Sequence, residues 1–182
     1  MSKIIVFVGP SGSGKTVLGQ LALQPIGGKE VVSTTTRLPR KGEVAGVNYH
    51  FVKKDEFEQL IAQGAMLEYT SYAGEYYGLQ KKTVSDMLSQ YNLVYAVLDI
   101  NGALAMKQQF GDKVATIFIR VRPETIYRRM AERGDDPAAI QRRINHAAEK
   151  REFDNGYLCD YSIDNEGSLE SAIEAIRKIT EA

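Results

Sequence analysis

An α/β fold, with a central parallel sheet covered by helices on both faces, is predicted by three features of the sequence. Apolar, strand-like runs recur at residues 3–8, 29–33, 93–100, 114–121 and 160–164. Segments of helical period separate most of them, and that alternation builds βα units whose crossover helices cover a parallel sheet. The first run, Ile4-Ile-Val-Phe-Val8, leads straight into Gly9-Pro-Ser-Gly-Ser-Gly-Lys15-Thr16. That string fits G-x-x-x-x-G-K-[ST], the P-loop, so a three-layer α/β/α P-loop architecture is expected. Phosphate chemistry would then lie at the carboxyl ends of the strands.

The loop restricts the chemistry most. Gly9, Gly12 and Gly14, with Ser11 and Ser13 between them, let backbone N–H groups face a phosphate. Lys15 reaches the β/γ-phosphates, and the Thr16 hydroxyl is a Mg²⁺ ligand. Val17–Leu23 continues as a helix whose first N–H groups point at the anion. These residues make the chain a nucleoside triphosphate binder.

Composition agrees with a compact enzyme domain: 182 residues with 43% hydrophobic content bury a sizeable core, and one domain is expected. Lys+Arg and Asp+Glu balance at 23 each, so no overall field recruits nucleic acid or an anionic membrane. Anionic ligands must be met by local positive charge. A single cysteine, Cys159, excludes an internal disulfide and a cysteine-based zinc site. His50 and His146 are too few and too far apart in sequence to suggest a metal site. No signal-peptide pattern opens the chain and no apolar run reaches the length of a membrane span, so a cytoplasmic location is expected.

The run 93–100 carries Asp99 near its carboxyl end. A carboxylate there suits a second Mg²⁺ anchor beside a P-loop, acting through the metal's water shell because Mg²⁺ dehydrates reluctantly. Residues 33–77 break the βα pattern with short β-like pieces, repeated Gly and Tyr, and one amphipathic helix near 55–63, as an insertion carrying a second site would. In its polar, proline-marked loop, Arg37 and Arg40 offer guanidinium forks that match phosphate oxygens. Tyr49 and Tyr77 add neutral donors.

Farther on, Pro123–Gly134 reads as a helix ending in a glycine cap, and Asp136-Pro137 opens another. Their short polar join suits a lid. The last strand and the helix at 168–179 complete the fold.

The string Ser33-Thr-Thr-Thr-Arg37-Leu-Pro-Arg40-Lys-Gly-Glu43 through Tyr49-His-Phe51, with the P-loop, Leu67-Glu68, Gly74-x-x-Tyr77-Gly78 and Leu98-Asp99-Ile100, resembles the guanylate kinase family over nearly the whole chain. The resemblance implies transfer of the γ-phosphoryl of ATP to GMP, with Mg²⁺ as cofactor and small nucleotides as partners. It implies a single domain with a core (1–32, 80–125, 155–182), an acceptor-binding subdomain (33–79) and a lid region (126–154), working as a monomer or weak homodimer. By the same resemblance Ser33, Arg37, Arg40, Glu43, Tyr49 and Tyr77 hold the acceptor, and Glu68 accepts from the guanine N1–H and amine. Arg133 and Arg143 are the lid arginines that approach the transferring phosphoryl, and Asn165 lies near adenine.

Two presumed base-reading positions depart from the family pattern. Leu79 replaces a Ser or Thr, and Asn101 replaces an aspartate. Asn101 both accepts and donates, whereas Leu79 only packs. A guanylate kinase acting on GMP and dGMP is the expectation. The alternative is a related P-loop kinase with a shifted phosphate-ester acceptor, and a non-catalytic binding module is disfavoured by the intact Lys15.

Overall fold

The structure is a computed structural model that describes residues 2–72 and 74–181. In chain order the elements are β1 (Lys3–Val8), α1 (Lys15–Leu23), β2 (Lys29–Glu30), β3 (Thr34–Thr35), β4 (His50–Phe51), α2 (Lys54–Ala62), β5 (Met66–Tyr72) and β6 (Glu75–Gln80). They continue with α3 (Lys81–Gln90), β7 (Leu93–Val97), α4 (Ile100–Phe110), β8 (Val114–Arg120), α5 (Pro123–Glu132), α6 (Pro137–Glu149), β9 (Tyr161–Asp164) and α7 (Leu169–Glu181).

β1 lies at the centre because it is apolar on both faces, with Ile4 to Val8 at most 2% exposed. It pairs in parallel with β7 and β8, and the full five-stranded parallel sheet runs β2-β7-β1-β8-β9. Alternate side chains of β1 enter two cores. Ile5 and Phe7 pack with Leu18 of α1, Ile126 of α5 and Ile176 of α7. Ile4, Val6 and Val8 pack with Val84 of α3 and Met106 of α4. Helices thus cover both faces, as the alternation predicted. The chain builds outward from β1 first to β2 and β7, then to β8 and β9, which makes the carboxyl end of β1 a switch point where a crevice opens.

The strand at 29–33 is shorter than read from the sequence, and the strand at 93–100 ends at Val97. Leu98 still donates to the Phe7 carbonyl, but Asp99 is already the cap of α4, its Oδ1 accepting from the Gly102 N–H at 2.8 Å. A second sheet, β4-β3-β6-β5, occupies the interval that breaks the βα pattern. β3 runs parallel to β4 and antiparallel to β6, and β5 and β6 form an antiparallel hairpin.

Between α5 and α6 the caps follow the sequence. Gly134 takes a φ of +90°, and Asp136 Oδ2 accepts from the Ala139 N–H at 2.8 Å with Pro137 at the first helical position. The other end of α6 is less usual. Arg151 has a φ of +55°, the one positive value at a non-glycine among the described residues. Its N–H donates to Ala148 O at 3.0 Å and the Glu152 N–H to Ala147 O at 2.8 Å, a Schellman turn without the customary glycine. Arg151→Gly is therefore expected to stabilise the fold by about 0.5–1 kcal/mol, read as a higher denaturant midpoint at unchanged m. The exposed Arg151–Asp154 pair lost with it offsets little.

Candidate active site

The loop between β1 and α1 wraps the N-terminus of α1, whose first N–H groups have no acceptor within the helix. Gly14, the N-terminal cap, has a φ of +91°, and a Cβ there would stand 2.8 Å from Asn165 Nδ2. A Cβ on Gly12, at a φ of +85°, would meet Met130 Cε of α5 at 2.5 Å. Both positions demand glycine, and both tie the loop to later parts of the chain.

Lys15 Nζ donates to the carbonyls of Gly9 and Pro10 at 2.6 and 2.8 Å. Burial pulls its pKa down to about 8, with the charge of Glu152 acting the other way. Ser13 is fully buried, and its hydroxyl has no hydrogen-bond partner among the described residues. An orphaned buried hydroxyl in a glycine cradle beside a desolvated ammonium fits an oxyanion ligand. Thr16 and Asp99 are both exposed and both offer hard oxygens, a donor set that suits Mg²⁺ completed by water and phosphate.

A cavity of about 350 Å³ opens at the carboxyl ends of β1 and β7. Gly9, Ser11, Lys15, Asp99 and Asn101 line it, together with Lys150, Glu152 and Asn155. Thr16 lies outside this wall, on the first turn of α1. A second hollow meets the first at Asp99 and Lys150 and extends to Thr70, Ser71 and Tyr77 on the hairpin.

Around that hairpin the second sheet gathers the predicted acceptor residues. The Arg37 guanidinium donates to both oxygens of Glu43 at 2.9 and 2.8 Å and lies 5.5 Å over the Tyr49 ring, which meets Tyr77 edge-on at 6.1 Å. Glu43 also accepts from the Arg40 N–H at 2.7 Å. These bonds hold the Glu43 carboxyl down at about 2, so the pair is ionised at any working pH. Glu43 thus orders Arg37 before any ligand arrives. Ser33 contributes a carbonyl that accepts from His50 N–H at 2.8 Å, and this bond seats β4.

Glu68 stands beside the N-terminus of α4: a Cβ on Gly102 would lie 3.1 Å from its Cγ. Burial, and then the charge of Asp99, raise its pKa to about 7. Leu79 is not brought to the site. It is fully buried in the second core with Val84 and Met106, because its position on β6 faces the apolar layer. Its sequence assignment as a base contact is corrected accordingly.

Arg133 and Arg143 converge on Asp135, with Arg133 Nε at 3.1 Å and Arg143 Nη1 at 3.5 Å. Both are exposed, Arg133 at the α5–α6 join and Arg143 on α6, and neither lines the cavity in this conformation. Asn165 is 5% exposed, and its Nδ2 donates to Ser13 O at 2.9 Å while its backbone carbonyl accepts from Arg129 Nη2 at 2.6 Å. The side chain thus ties the loop to the end of β9, and the backbone carbonyl ties the same residue to α5. Lys150 and Glu152 were not singled out from the sequence, since they lie in a charged stretch that nothing local distinguishes from a solvated helix end.

The family model for guanylate kinase matches residues 1–182. The chain belongs to the guanylate kinase family. A guanylate kinase of Lactococcus lactis is 38% identical over 181 residues, covering 98% of this chain and 87% of the relative. One from Clostridium perfringens is 36% identical over 178 residues, covering 97% and 81%. Among solved structures, the guanylate kinase from Anaplasma phagocytophilum superposes with a TM-score of 0.72 at 29% identity, covering 99% of this chain and 85% of that one. Family membership accounts for the pairing of a nucleotide loop with a separate sheet of Arg, Glu and Tyr side chains across one cleft.

Proposed function

We infer that the chain transfers the γ-phosphoryl of MgATP to GMP, giving ADP and GDP, and also accepts dGMP. The observation that carries this is the joining of two hollows at Asp99, with Lys15 on one side and Tyr77 of the acceptor cluster on the other. In this reading the amides of residues 9–16 and the Lys15 ammonium hold the donor phosphates. Thr16 directly, and Asp99 through water, would hold Mg²⁺, which neutralises charge on the phosphate oxygens when bound. Arg37, Arg40, Tyr49 and Tyr77 hold the acceptor phosphate, with Glu43 fixing the guanidinium. Glu68 reads the guanine N1–H and amine, and Asn101 adds a weaker contact at the same edge. Arg133 and Arg143 leave Asp135 on closure and reach the transferring group, where charge spreads over equatorial oxygens. The cleft closes to align donor with acceptor and to exclude water, which would otherwise accept the phosphoryl.

The subdomain at 33–79 moves against the core, and the region 126–154 acts as the lid. One chain supplies both phosphate sites, which favours a working monomer, and nucleotide substrates favour the cytoplasm. Among the described residues no helix is long and apolar enough to cross a membrane.

ADP release from MgATP with GMP, dGMP, IMP, AMP, UMP, CMP and ribose 5-phosphate tests the reading. GMP is expected to exceed AMP by at least ~10³-fold in kcat/KM, since AMP leaves the half-buried Glu68 carboxylate facing an acceptor. AMP or a sugar phosphate turning over within about tenfold of GMP would sink it.

A further inference from the structure

We propose that Lys150 is a phosphate-binding residue of the transfer step, a cation that already stands between donor and acceptor before the rest of the lid closes. The proposal deepens the phosphotransferase reading above and rests on it.

Among the described residues only two line both hollows of the cleft, Asp99 and Lys150. A phosphoryl group passing from the side of Lys15 to the side of Tyr77 must cross that junction. Of the cations assigned to the reaction, none stands there in this conformation. Lys15 bonds its own loop, Arg37 is held by Glu43, and Arg133 and Arg143 are gathered on Asp135. Lys150 makes no ion pair and no side-chain hydrogen bond among the described residues. A flexible ammonium at that point therefore needs no carboxylate partner broken before it meets an anion.

Its placement is built rather than incidental. Lys150 is the C-terminal cap of α6, and the left-handed Arg151 that follows it reverses the chain so that Lys150 and Glu152 both face the cavity containing Lys15. The two side chains divide the work. Glu152 is the acidic group whose charge acts on Lys15, whereas Lys150 lies toward Asp99 and the acceptor hollow. An ammonium is a compact point charge with rotatable donors, suited to oxygens that shift as the phosphoryl moves. Its attraction grows as negative charge collects between the two nucleotides, so it should act on the ternary complex more than on either binary one.

The test uses the whole chain with Lys150→Ala, Lys150→Arg and Lys150→Glu, each checked for an unchanged thermal midpoint. Lys150→Ala is expected to lower kcat roughly 10–100-fold while the Kd for GMP alone and ATP alone change less than about threefold. Binding of a bisubstrate probe, adenosine and guanosine joined through five phosphates, should weaken by a similar 10–100-fold. Lys150→Arg should recover much of both losses, and Lys150→Glu should be worse than Ala. A Lys150→Ala enzyme with wild-type kcat and wild-type probe affinity overturns the proposal. Wild-type enzyme that fails to phosphorylate GMP overturns the reading beneath it, which separates the two failures.

Discussion

Lys15→Ala is expected to lower kcat for GMP phosphorylation by at least ~10³-fold, while the folded state survives or gains stability. The two halves of this result come from one observation. The ammonium is held 2.6 and 2.8 Å from two loop carbonyls in a desolvated place, and its pKa falls from 10.5 to about 8. A lowered lysine pKa means that the fold disfavours the charged form. The penalty is therefore full below about pH 8 and is relieved as pH rises from there towards 10.5. Removing the amine at neutral pH takes away that penalty, which is at most about 3.4 kcal/mol by linkage and less after relaxation. Loss of turnover with an unchanged or higher thermal midpoint is the expected pair of readings. Near-normal turnover would remove Lys15 from the site, and a large drop in midpoint would show that its bonds to Gly9 and Pro10 mainly hold the loop together. Donor phosphates reverse the penalty by pairing the ammonium, so the basic limb near pH 8 in kcat/KM for ATP should fade in kcat.

The core was legible because its strands are buried on both faces. Ile4 to Val8 can only be an interior strand before a glycine loop, and residues 114–120 likewise read as an interior strand. The carboxyl end of 93–97 was not legible, since an apolar residue continuing a strand and one opening a helix look alike in sequence. Leu98 and Ile100 extended the apparent strand, and only the bond from Gly102 N–H to Asp99 shows where α4 starts. The second sheet was visible only as short β-like pieces. Its order depends on the pairing of Thr34-Thr35 with Tyr77-Gly78, more than forty residues away. Leu79 illustrates the limit of carrying a role over by position. A leucine on β6 turns to the apolar layer, and the contact implied for a hydroxyl at that place is replaced by packing. Lys150 illustrates the opposite error, because a lysine in a run of charges acquires a specific position only through the turn at Arg151.

Glu68→Gln is expected to separate base reading from stability in opposite directions. With its pKa raised to about 7, Glu68 is roughly half protonated at neutral pH in the free enzyme. Only the ionised carboxylate accepts from both the N1–H and the amine of guanine, so binding improves as pH rises through about 7. Guanine pulls the proton off, and calorimetry in buffers of different ionisation enthalpy should find about half a proton released per GMP at pH 7, falling towards none at pH 8.5. In Glu68→Gln, kcat/KM for GMP should fall about 10²-fold, because an amide leaves one guanine donor unmatched. The limb near pH 7 should vanish with it, leaving only titration of the nucleotide phosphate near pH ~6. Stability moves the other way. A carboxyl whose folded pKa lies above its unfolded value contributes most below about 4.5 and loses that contribution as pH rises through about 7. Glutamine carries no such loss, so at pH 8 the variant should be more stable by about 1–2 kcal/mol, a rise of roughly 2–8 °C in Tm. At pH 5 the gain should be largely gone. A Glu68→Gln enzyme that keeps the acid limb and the proton release would transfer both to another group, and Asp99, the neighbouring carboxylate whose charge raises Glu68, would be the first to substitute.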